Sequence, residues 1–211
     1  MARSSERPFH PPSDPRWQAL HVEAALEPGL EIVDAHHHLF ARPHWPYGLD
    51  DLLADFAAGH RIVASVYVQC GEHYLPGGPP QLRPVGETRF VDEAARRSLH
   101  ASEEAVHACA AIVGHADLTL GAAVEEVLEA HLQASPSRFR GIRHGLSTDP
   151  DPAYARSGPR PRPGLMADAA FREGFSRLAR HGLSFDAWLY HPQIPELVEL
   201  ARAYPDTRIV L

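Results

Sequence analysis

Glu31-Ile32-Val33-Asp34-Ala35-His36-His37-His38-Leu39-Phe40 is the stretch on which the reading of the fold turns. A short apolar run of β type ends there in an acid and three histidines, and a loop rich in proline and aromatics follows from Ala41 to Gly48. Side chains alternate along a strand, so His36 and His38 share one side and His37 takes the other. Two imidazoles at the carboxyl end of a strand can hold a metal ion or a substrate oxygen. Spacing alone says little: with 15 His in 211 residues, roughly one His-x-His pair arises by chance. The surrounding chain has to give the pair its meaning.

Downstream, strand and helix patterns alternate. Asp50 stands as an N-cap before Leu52, Leu53 and Phe56, and Gly59 ends that helix. Ile62 to Cys70 is a near-continuous apolar run, the pattern of a strand buried on both faces. A long loop, Gly71 to Val85, leads to a helix starting at Thr88 or Asp92 and running towards Ala105. Ala108 to Gly114 reads as the next strand. Leu120, Val124, Val127, Leu128 and Leu132 then fall at helical spacing behind a cap at Asp117 or Thr119. Phe139 to His144 is a fourth strand, followed by a loop rich in Pro, Arg and Gly from Asp149 to Gly164. Asp168 opens a helix with Phe171, Phe175 and Leu178 on one face and Gly182 at its end. Leu183 to Tyr190, a helix through Ile194, Leu197, Val198 and Ala201, and Arg208 to Leu211 complete about six units.

Such alternation predicts an α/β fold with a parallel sheet. A doubly wound sheet would carry a glycine-rich phosphate turn after its first strand, where this chain has histidines, proline and aromatics. A (β/α)8 TIM-type barrel instead collects reactive groups at the carboxyl ends of successive strands. His36 and His38, Gln69 to His73, His115, Arg143 with His144, and His191 stand at those ends. The expectation is therefore a barrel, incomplete at about six of its eight strands, over residues 29–211, preceded by a polar, proline-rich and partly disordered arm over 1–28. A short helix is expected near Gln18 to Leu26, stopped by Pro28-Gly29.

A formal net charge of −7 gives no basic footprint for nucleic acid or an anionic membrane. No apolar run spans a bilayer, and no leader is evident at the N-terminus. The 2 Cys residues, Cys70 and Cys109, sit in apolar strands and read as buried free thiols of a reducing, cytoplasmic compartment. A small-molecule substrate is the expected partner, and homo-oligomerisation is left open.

The chain resembles the amidohydrolase-related family, which includes sugar lactonases, pyrone dicarboxylate lactonases and some decarboxylases. Val33 to Phe40, Phe139 to His144 and Phe185 to Gln193 carry the resemblance, with Tyr204 to Leu211 similar to the family's lead into its sixth strand. The resemblance implies that His36 and His38 are the first-strand pair and His191 a fifth-strand histidine. In the family these bind a divalent metal, zinc being the first choice here, or polarise the scissile carbonyl without one. It further implies that Arg143 faces an anionic part of the substrate. Hydrolysis of a lactone or similar cyclic ester, a sugar lactone or pyrone, is the implied activity, with decarboxylation as the alternative.

Around that set, His144, Gln69, Glu72, His73 and Gln193 are read as pocket-lining and substrate-binding. His37, His115 and His131 are read as structural, and Asp186 as projecting into the barrel or pairing with Arg143. The Arg156 to Arg162 run is read as a solvated loop. The family's sixth-strand histidine and water-activating aspartate would fall beyond Leu211. The third expectation is accordingly a catalytically inactive fragment whose six strands leave open sheet edges.

Overall fold

The apolar strands pair in parallel and bury one face under a layer of helices. The computed structural model describes residues 14–43, 45–101, 106–151 and 161–211. One parallel sheet contains β1 (Glu31–His37), β4 (Arg61–Val68), β5 (His107–Gly114), β6 (Phe139–Gly145), β7 (Ser184–Trp188) and β8 (Ile209–Val210), in that spatial order. Between consecutive sheet strands run α2 (Leu49–Phe56), α3 (Val85–Ser98), α4 (Val124–Ala134), α5 (Ala169–Arg180) and α6 (Ile194–Ala203). A doubly wound sheet reverses its direction of growth at a switch point. This one grows in a single direction and curls into a half-barrel, the wall of an incomplete (β/α)8 fold.

The core lies between the sheet and its helices. Phe171 and Phe175 of α5 are fully buried and meet Phe185 of β7 at ring distances of 6.2 and 5.2 Å. Burying one such side chain stabilises the fold by about 1.5–3 kcal/mol. The ends of α5 follow the sequence signals. Asp168 caps it by accepting from the Phe171 N–H at 2.9 Å, and Gly182 adopts φ 64° just after it, a conformation that costs glycine nothing.

Five elements differ from expectation, the first being α2, whose N-cap is Gly48 while Asp50 lies inside its first turn. The early helix is one turn, α1 (Pro15–Gln18), and residues 21–25 are not helical. Leu20, Val22 and Leu26 are exposed there, and a short helix without a face to bury has little to hold it. The segment expected as loop from Ala41 to Gly48 contains a small hairpin, β2 (Phe40–Arg42) against β3 (Trp45–Tyr47). Its Phe40 and Trp45 rings stack at 5.0 Å. Helix α3 begins three residues before Thr88, at Val85. Leu120 lies in a 3-10 segment, Leu118–Ala123, which precedes α4 and is capped by Asp117. The loop from Asp149 to Gly164, and the Arg156 to Arg162 run within it, lie largely outside the described residues, as do residues 1–13 of the N-terminal arm. Among the described residues no helix is long and apolar enough to cross a membrane.

Candidate active site

Parallel pairing puts residues in register on the same face. Arg143 of β6 stands opposite Asp186 of β7, and His144 opposite Ala187. Ile142 and Phe185, also in register, belong to the helix-side core, so Arg143 and Asp186 face the concave side and His144 the helices. The same alternation at β1 sends His36 to the concave side and His37 to the helices.

On the concave side the two imidazoles meet. His36 Nε2 lies 3.3 Å from His38 Nε2. His38 donates its Nδ1–H to the Val68 carbonyl at 2.6 Å, which leaves Nε2 as an acceptor aimed into the site. Burial pushes the His38 pKa down to about 4, against the pull of that carbonyl. His36 is also lowered, by burial first and then by the Arg143 charge, with Asp34 opposing. Both rings are therefore neutral near neutral pH, the state a metal ligand needs.

Arg143 completes the group. It is nine-tenths buried, donates from Nη2 to the Gln69 carbonyl, and holds Nη1 3.5 Å from His36 Nε2. Its guanidinium lies over the Trp188 ring, 5.3 Å from the centroid. Among the described residues it has no carboxylate within ion-pair distance. Asp186 feels its field at longer range, which opposes the upward push that burial gives that carboxyl. Tyr74 joins this neighbourhood: burial raises its hydroxyl above the usual phenol range, the charges at Glu87 and Cys70 add to that, and Arg143 opposes it.

A tetrahedral ion with Zn–N bonds of about 2.0–2.1 Å holds two nitrogens roughly 3.3–3.4 Å apart. The observed 3.3 Å between the two Nε2 atoms fits that spacing, and it serves an N–H···N hydrogen bond equally well. The fit extends to two ligands. Among the described residues no group of three or more His, Cys, Asp or Glu is placed to hold a metal. His191, expected as the third ligand, is exposed at the start of the 3-10 turn His191–Gln193 and is not part of such a group.

The other expected contacts separate. His144 accepts from the Leu118 N–H at 3.2 Å and leans on Phe171, on the helix side; burial, then His115, lowers it to about 4. Gln193 is buried, its Oε1 accepting from Thr148 N–H at 3.0 Å and Tyr190 N–H at 3.2 Å, its Nε2 donating to the Leu146 carbonyl at 2.7 Å. Its amide joins two loops, and these three bonds all go to backbone groups. His73 adopts φ 54° and stacks on Phe90 at 3.6 Å. It lines a cavity of about 360 Å³ with Leu39, Tyr47 and Arg97, and none of His36, His38 or Arg143 reaches that cavity. Gln69 contributes through its backbone carbonyl, and Glu72 takes the Arg42 side chain at 2.6 Å.

The helix side of the same strands is closed. His37 Nε2 and the Ser65 hydroxyl share a 2.9 Å hydrogen bond, and Ser65 accepts from the Cys109 N–H at 2.9 Å. His131 donates from Nε2 to the His115 carbonyl at 3.0 Å and accepts the Thr88 hydroxyl at 2.8 Å.

Comparison with known proteins bears on the family and the fold. An amidohydrolase family model matches residues 33–211. The uncharacterised protein y4mH of Sinorhizobium fredii is 33% identical over 165 residues, which is 78% of this chain and 48% of that protein. A crystal structure of an amidohydrolase from Burkholderia multivorans, determined with zinc bound, aligns with TM-score 0.58 at 22% identity over 85% of this chain and 56% of its own. A Pseudomonas putida protein described as a candidate 2-pyrone-4,6-dicarboxylic acid hydrolase aligns with TM-score 0.53 at 18% identity, covering 84% and 55%. The structural likenesses speak to the fold. The chain spans about half the length of each of these proteins.

Proposed function

The chain belongs to the amidohydrolase family, and from that premise we propose that its concave site takes a lactone or similar cyclic ester carrying a carboxylate, for hydrolysis of the ring ester. The carrying observation is Arg143, a buried guanidinium with no ion-paired carboxylate among the described residues, beside two neutral imidazoles. A buried cation of that kind is a receptor for a planar anion, which a guanidinium binds with two parallel N–H donors. The substrate's carboxylate sits on Arg143, and its scissile carbonyl lies towards His36 and His38. His36, in the tautomer that carries a proton on Nε2, stabilises there the oxyanion that forms as water adds. A divalent ion, zinc first, would be held by His36 Nε2 and His38 Nε2, and when bound it supplies a Lewis acid at that carbonyl. The zinc-bound Burkholderia relative and the pyrone-hydrolase description of the Pseudomonas one support the metal and the substrate class respectively.

The test is a panel of sugar lactones and 2-pyrone-4,6-dicarboxylate, assayed for ring opening and for binding by calorimetry, with and without chelator. Binding of the dicarboxylate that is lost in R143M supports the reading. Carbon dioxide release without ring opening would replace hydrolysis by decarboxylation. No binding or turnover across the panel would sink it.

A further inference from the structure

Glu87 of α3 is 1% exposed, and no Arg, Lys or His forms an ion pair with it among the described residues. An isolated buried carboxylate is expensive unless donors meet its charge. Here one oxygen, Oε1, gathers four: the Tyr67 hydroxyl at 2.8 Å and the backbone N–H groups of Cys70 at 2.9 Å, Gly71 at 3.0 Å and Glu72 at 3.1 Å. Three consecutive N–H groups converge on one oxygen because the loop turns through Gly71 at φ 84°, the anion-binding nest that backbone alone can build. The residue before the nest is Gln69, whose carbonyl receives Arg143. The residue closing it is Glu72, whose carboxylate receives Arg42 of the hairpin. A buried carboxylate and a buried guanidinium thus stand on either side of one short loop: its N–H groups and the Tyr67 hydroxyl meet Oε1 of the first, whose Oε2 has no hydrogen-bond partner among the described residues, and its Gln69 carbonyl meets the second.

We propose that Glu87 is the positioning residue of this site: by gathering the N–H groups of residues 70–72 it fixes the Gln69 carbonyl, and through that carbonyl it holds the Arg143 guanidinium against His36 and Trp188. This rests on the reading of Arg143 as the substrate-anchoring group, but its test needs no substrate. In a W17F/W45F background Trp188 is the sole tryptophan and reports the guanidinium lying on its ring. E87Q keeps the size of the side chain and removes its charge. The expected result is a rise of about twofold in the acrylamide quenching constant of Trp188, as the cation–π contact loosens. In an R143M background E87Q causes no further rise, because the two substitutions act through one contact. Y67F, which removes one of the four donors, gives a smaller rise with the same dependence on Arg143, and it decides the matter if E87Q does not fold. E87Q with unaltered far-UV dichroism and unaltered quenching would overturn the proposal, as would a rise of equal size with and without Arg143. Failure of the lactone reading would show separately, as absent binding and turnover with this fluorescence coupling intact.

Discussion

The two faces of one sheet carry the same residue types and do different things with them. On the concave side, His36, His38 and Arg143 are neighbours with nitrogen atoms aimed into a shared space. On the helix side, His37 shares its Nε2 with Ser65, while His131 and His144 are tied to a carbonyl or an N–H of the neighbouring elements. Adjacent residues fall into opposite classes, His36 against His37 and Arg143 against His144. Chemistry here is decided by the face a side chain takes, and a change of one residue in register would exchange a reactive group for a buried brace.

The sharpest way to break the contrast is at β6. R143M is expected to weaken binding of 2-pyrone-4,6-dicarboxylate by roughly 30-fold or more, the scale of losing a buried charged partner, while H144Q leaves that affinity within about threefold; calorimetry on both variants decides it. Equal losses would mean that the faces are not functionally distinct.

Acid should act mainly through the helix side, which holds three of the four rings lowered to about 4, His38 on the concave side being the fourth. Folding lowers His37, His131 and His144 to about 4, burial being the main cause in each. Below the unfolded value near 6.5 the denatured chain takes up protons that the native one refuses, so stability is full above that pH and falls as pH drops towards 4. Fully buried His131 alone contributes roughly 3 kcal/mol of that loss. Urea midpoints measured from pH 7.5 to 4.5 should fall steadily, and a flat profile would show these rings to be solvated.

At β1 the expected effects cross over. H37A should lower unfolding free energy by about 1–3 kcal/mol, because it leaves the buried Ser65 hydroxyl without its imidazole. H36A should leave stability within about 0.5 kcal/mol yet weaken zinc binding measured against a competing chelator dye. At Gln193 the effect should be on stability alone: Q193A should cost about 1–2 kcal/mol through its three loop hydrogen bonds, with dicarboxylate affinity of the folded protein unchanged.

Much of this was legible in the sequence, because period two and apolar runs are properties of the local chain. The sheet strands, the pairing of His36 with His38, the exclusion of His37 and the capping of α5 by Asp168 all follow from neighbours a few residues apart. The parting of Arg143 from His144 was equally available, since the same alternation that separates His36 from His37 separates them; grouping both at one strand end overlooked it. Gln193, His73 and Glu87 were not legible in this way. Gln193 joins Leu146 and Thr148 to Tyr190, and Glu87 gathers a loop 15 to 17 residues before it. Such bonds depend on where long loops return, which no local pattern encodes. The β2–β3 hairpin escaped because its strands are three residues each, too short for alternation to register.

The strand order has a consequence for how the molecule is made. Each strand of the large sheet after the first pairs with the sheet strand that emerged before it, so no segment has to wait for a distant one in order to find its edge. Assembly can follow the order of translation, one strand and covering helix at a time. Loop-closure entropy at each step is limited to a single crossover. Each newly paired strand becomes the template for the next.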